Sequence, residues 1–162
     1  MNTNDRKRMP EPTHVNTEGL KPQQSAGVDP IEAIFGVPIS TYTRKQAIED
    51  GVLVDVSGMA RETGFRIPVA MTIAAWEDCV AWTDADSRRQ THQDQSGRLG
   101  DVLWMAWLAA RNAPGRAACV FTLHRVPRGG RGYKPRAVLL KLVCGPGDEG
   151  EPVATIMLPD ED

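Results

Sequence analysis

The chain has 162 residues and carries 19 Lys+Arg against 21 Asp+Glu, a net charge of −2. That balance excludes a histone-like DNA coat and a strongly acidic DNA mimic, both of which need a lopsided charge. Hydrophobic residues make up 41%, enough for a globular core, and no apolar run approaches the roughly 20 residues of a membrane span.

Residues 1–30 are expected to be a disordered tail. Pro10, Pro12, Pro22 and Pro30 punctuate a stretch of Asn, Thr, Gln and Ser whose few apolar residues follow no period. Such a segment does not repay its ordering entropy. Met1–Pro10 lacks the apolar segment of a secretory signal, so the expected compartment is the cytoplasm. Arg6, Lys7 and Arg8 form a basic cluster that reads as solvated. Residues 31–162 are expected to form a single domain, and the apolar run Ile31 to Ile39 is a candidate to dock on it.

From residue 40 onward the signals sharpen. Thr43 and Gln46 have capping-box spacing, which predicts a short helix over Arg44–Glu49, closed by Gly51. Val52, Leu53, Val54 and Val56 read as a strand. Gly58–Thr63 reads as one helical turn with Gly64 as its stop. Thr72 is placed to cap a helix in which Ile73, Trp76 and Val80 share an apolar face, with Glu77 and Asp78 facing away. A longer helix is predicted from Ser96 to Arg111 on the repeat of Leu99, Val102, Leu103, Ala106 and Ala110. Trp104, Trp107 and Leu108 widen its stripe and predict burial on more than one side. Ala118–Val126, Ala137–Val143 and Val153–Leu158 read as strands, the last two joined by the turn-rich Gly145–Pro152. The expected fold is α+β: a C-terminal antiparallel β-meander packed on two main helices, with the strand near Val52 extending the sheet.

Two segments could carry chemistry. Thr83–Gly97 holds Asp84, Asp86, Arg88, Arg89, His92 and Asp94. Histidine with carboxylates can hold a divalent metal or move protons. The spacing matches no metal motif, and the plainer reading is a polar connector with Asp84 capping a turn. Arg125–Arg136 is the second segment. Arg125, Arg128, Arg131, Lys134 and Arg136 flank glycines and Tyr133. The cations suit phosphates or an acidic protein surface, and Tyr133 can stack on a base. The C-terminus is acidic in turn, so the surface is dipolar and suited to steering a charged partner. No P-loop and no hydrolase elbow appears. Cys79, Cys119 and Cys144 are an odd, widely spaced set without a C-x-x-C pair, so they read as small buried hydrophobes. No cofactor is called for.

Three stretches, Tyr42–Ser57, Asp86–Arg111 and Leu140–Asp162, resemble an uncharacterised family of small bacterial proteins carried by plasmids, phages and integrative elements. The likeness spans Ile39 to Asp162. It implies no activity and no catalytic residue. It implies a setting, since small accessory proteins of mobile elements often counter restriction or CRISPR systems by binding. The expected function is therefore a non-enzymatic anti-defence protein bound to a host protein or nucleoprotein complex. The alternatives are a nucleic-acid-binding regulator using residues 125–136, and a small hydrolase or transferase centred on His92.

Overall fold

A computed structural model describes residues 42–162. The expected tail and the Ile31–Ile39 run lie outside the described residues. The first element is α1, Arg44–Glu49. Thr43 Oγ1 accepts from the Gln46 N–H at 3.1 Å, and the Gln46 side chain accepts from the Thr43 N–H at 3.0 Å. This reciprocal cap satisfies donors that a six-residue helix leaves open at its start. A short strand, β1 (Leu53–Asp55), and a second helix, α2 (Ser57–Thr63), follow. The second helix stops at Gly64, whose φ is 116°. A Cβ there would also stand 2.9 Å from Trp107 Nε1, so both backbone angle and packing require glycine.

The strand β2 (Val69–Thr72) is not apparent from the sequence pattern. Val69, Ala70 and Met71 are all buried, so no polar–apolar alternation marks it. It runs antiparallel to β1 and parallel to the C-terminal strand. Thr72 closes β2 and caps α3 (Ile73–Cys79) by accepting from the Ala75 N–H. The buried face of α3 is Ala75 and Cys79, with Trp76 partly covered, and Ile73 is exposed.

The next helix, α4 (Asp84–Arg89), stands where a polar connector was expected. Thr83, not Asp84, is its cap, in a capping box completed by Asp86. The long helix α5 (Gln95–Asn112) is capped by Asp94, which accepts from the Gly97 N–H at 2.8 Å. Leu99, Val102, Leu103 and Ala106 bury one stripe of α5. Trp104 is 54% exposed and Leu108 is exposed beside it, so these two do not extend the buried stripe as expected, while Trp107 is partly buried against Gly64 at the end of α2. Among the described residues α5 covers one face of the sheet, and Trp104 and Leu108 lie on its exposed side. Trp104 stacks on Trp107 with ring centroids 5.2 Å apart.

The expected meander is present: β3 (Ala118–Arg125), β4 (Arg136–Pro146) and β5 (Pro152–Met157) pair antiparallel in sequence. Among the described residues five strands lie in the order β1-β2-β5-β4-β3, and the fold is α+β. Phe121 and Leu123 of β3 alternate inward with Leu140 and Leu142 of β4, and both pairs meet the α5 stripe. Alternate β3 residues, Ala118, Val120, Thr122 and His124, lie on the open face.

Candidate anionic-partner interface

The hairpin turn between β3 and β4 carries the basic loop, and α4 stands beside it. The sequence offers them as separate candidates; the structure joins them. Asp86, buried at the third position of α4, is the junction. Its Oδ2 accepts from the Thr83 hydroxyl at 2.7 Å, the Thr83 N–H at 3.0 Å and Arg128 Nε at 3.0 Å. Its Oδ1 accepts from Arg89 Nη2 at 2.6 Å. These donors, the Thr83 hydroxyl foremost, hold its carboxyl down at a pKa of about 2 against the opposing effect of burial.

Two further acids hold the same loop. Arg128 Nη1 donates to Glu77 Oε2 at 2.8 Å. Arg125 Nη2 donates to both carboxylate oxygens of Asp78, at 2.6 and 2.8 Å. Glu77 and Asp78 therefore face the loop, contrary to the expectation that they face away. The helical wheel assigned them to solvent because it could not see that β3 ends beside α3. Gln90, at the end of α4, completes the attachment: its Nε2 donates to Pro127 O at 3.0 Å and to Gly132 O at 2.7 Å. Gly129, at φ 88°, supplies the left-handed residue that turns the loop.

Beneath the loop lies a residue that the sequence reading passed over. Arg98 is 5% exposed and forms no ion pair among the described residues. Its Nε donates to Val80 O at 3.1 Å, and its Nη1 to Gln93 Oε1 at 2.6 Å and Val126 O at 3.2 Å. The guanidinium lies 4.7 Å from the centroid of the Trp82 ring, and burial pulls its pKa down. The signal was legible: Arg98 precedes Leu99 and stands one turn before Val102, on the stripe that packs.

The six loop residues thus divide. Arg125 and Arg128 are anchors, so they are not free contact residues. Arg131, Lys134 and Arg136 are exposed and form no ion pair among the described residues. Tyr133 is 67% exposed among them. With Pro127 and Arg128, residues Tyr133, Lys134 and Arg136 border a cleft of about 420 Å³. In the second segment, Asp84, Arg88 and His92 are exposed, and Asp94 is occupied at the α5 cap. Among the described residues, no three His, Cys, Asp or Glu side chains converge as a metal site.

The profile of a family of unknown function, DUF6573, matches residues 35–162. The chain belongs to this family. No curated protein and no solved structure matches it. In this DUF6573 member the matched region takes in the whole of the loop–α4 junction. No helix among the described residues is long and apolar enough to cross a membrane.

Proposed function

We propose that the protein is a non-enzymatic binding protein that docks through residues 131–136 on the polyanionic surface of a host nucleoprotein complex. In its most concrete form it is an anti-defence accessory of a mobile genetic element. The observation that carries the reading is the division of the loop. Asp78, Glu77 and Asp86 neutralise and fix its base, while Arg131, Lys134 and Arg136 keep their charge unspent around Tyr133. A loop already pinned by Gln90 and Arg128 loses less conformational freedom on binding. Unpaired cations steer an anionic partner and raise its association rate at low salt.

A nucleic-acid-binding regulator is the second reading, favoured by the exposed ring of Tyr133 beside cations, a pairing suited to base stacking with phosphate contact. One experiment separates the two. The triple variant Arg131→Glu/Lys134→Glu/Arg136→Glu and the wild type are tagged and used to capture host complexes, with and without nuclease. Both are also titrated with short single-stranded DNA and RNA. The docking reading expects nuclease-resistant capture by wild type, lost in the variant, with circular dichroism unchanged. Capture abolished by nuclease, with oligonucleotide binding whose salt slope falls by about one per lost contact, makes the protein a nucleic-acid binder. Equal capture by variant and wild type at low salt overturns both readings.

A further inference from the structure

Among the described residues strand β3 ends the sheet, with β4 as its one neighbour. Which of its backbone groups face the open edge follows from one bond, the Cys144 N–H donating to Ala117 O at 2.7 Å. With Ala118 opposite Val143, residues Ala117, Cys119, Phe121 and Leu123 turn their amides toward β4. Ala118, Val120, Thr122 and His124 then turn theirs outward. These four also carry the exposed side chains of the strand, Val120 at 60%. Among the described residues no helix or loop pairs with this edge. The outward positions hold no Pro, Lys or Glu, and the register with β4 runs unbroken over eight pairs.

We propose that this edge is a homodimerisation surface, on which a second copy of the chain pairs its own β3 antiparallel about a two-fold axis at Phe121. That register sets Val120 opposite Thr122 and Ala118 opposite His124 of the second copy. Every outward N–H and C=O of the strand then has a reciprocal partner. An axis at Val120 instead would place His124 against Arg116, outside the strand, and leave outward groups unpaired. No like charges face one another in the proposed register, the condition for cross-strand pairs to stabilise.

The helix layer fits the same axis. The α5 helix runs antiparallel to β3, since Arg98 reaches Val126 at one end and Asn112 neighbours Cys119 and Val120 at the other. Between them lies a groove of about 350 Å³ bordered by Met105, Leu108, Ala109, Val120 and Phe121. The two-fold axis brings the two such grooves together. It also directs Asp101 in the first half of one α5 toward Arg116, just past the C-terminal end of the other, acid toward base. An eight-residue strand spans about 27 Å at about 3.4 Å per residue, and sheet plus helix layer stand roughly 20 Å deep. Both copies together bury roughly 1,100 Å², just above the roughly 1,000 Å² a specific interface needs.

The test is sedimentation equilibrium of the full chain across a wide concentration range. Two variants are compared with wild type: Thr122→Pro, which removes an outward N–H, and Val120→Lys, which places a charge on the edge. Both sit at positions an edge strand tolerates, and thermal melts check the fold. The expected result is a wild-type monomer–dimer equilibrium whose dissociation constant rises about tenfold or more in each variant. Hydrogen exchange on the unmodified protein provides a readout independent of folding defects: the Val120, Thr122 and His124 amides should exchange more slowly at high concentration. A wild type that stays monomeric, a dimer indifferent to both substitutions, or edge amides whose exchange ignores concentration overturns the proposal.

Discussion

Arg128 Nε donates to Asp86 Oδ2 at 3.0 Å across 42 residues of sequence. This bond makes one unit of a helix and a hairpin turn that look independent when read along the chain. The same guanidinium reaches Glu77 on α3, so one side chain ties the loop to two helices. A paired, partly buried arginine of this kind is worth more to loop order than to overall stability. Arg128→Ala should therefore leave the melting midpoint within a few degrees and speed hydrogen exchange at Gly129–Lys134. Unchanged exchange would show that Gln90 alone holds the loop.

Acid should release the same anchor. The folded-state pKa of Asp86 is depressed to about 2, below the ordinary value of about 3.9 for an unfolded aspartate. A depressed carboxyl stabilises fully above the unfolded value and loses that contribution as pH falls through the folded one. Asp86→Asn should thus lower the melting midpoint at pH 7, with the gap to wild type narrowing between about pH 4 and pH 2. A gap constant over that window would mean that the carboxylate charge is not what the donors recognise.

Much of the scaffold was legible because its signals are local. Thr43 and Gln46 state a helix start in four letters, and the alternation of Phe121 and Leu123 with Val120 and Thr122 states a half-covered strand. What was not legible depends on distant chain. Val69–Thr72 becomes a strand because β1 and β5 flank it. Trp104 is exposed because it lies off the stripe of α5 that meets the sheet and no described element covers it, and nothing in its apolar spacing says so. The candidate site was half legible. The cations of residues 125–136 were evident, but their division into anchors and free charges rests on Asp78, Glu77 and Asp86, which lie 42 to 51 residues away.

Leu103 is fully buried where α5 meets the sheet, within one cluster with Phe121, Leu123, Leu140 and Leu142. Leu103→Ala removes its contacts and leaves a cavity that the rigid sheet cannot close. The expected cost is about 2–5 kcal/mol, read from the denaturant midpoint at unchanged slope. A cost below about 1 kcal/mol would place the principal core elsewhere.

The cysteines should react in a set order. Burial foremost pushes the Cys79 thiol up to about 12, with Asp78 adding to the shift. It is inaccessible to reagent and overwhelmingly protonated near neutral pH. Cys119 and Cys144 are half-buried. Iodoacetamide at pH 8, followed by peptide mass spectrometry, should label Cys119 and Cys144 in the native protein and Cys79 only after denaturation. Early labelling at Cys79 would show that α3 opens readily from β2.

Arg98 carries the last prediction. Its acceptors are two backbone carbonyls and one amide oxygen, and the Trp82 ring takes the place a carboxylate would ordinarily hold. Arg98→Ala would leave Val80 O, Val126 O and Gln93 Oε1 without this donor in a buried setting. Unmade buried hydrogen bonds cost about 1–3 kcal/mol each, so the variant should be among the more damaging single changes in the chain. Arg98→Lys separates charge from shape. Lysine keeps the cation but loses the planar fork and the stacked contact with Trp82. If geometry is what matters, Arg98→Lys should lose most of what Arg98→Ala loses in a denaturant melt. It should also loosen Val126 and Pro127, seen as faster exchange at the start of the basic loop. Full rescue by lysine would mean instead that the buried charge, not the guanidinium fork, is the element that joins α5 to the loop above it.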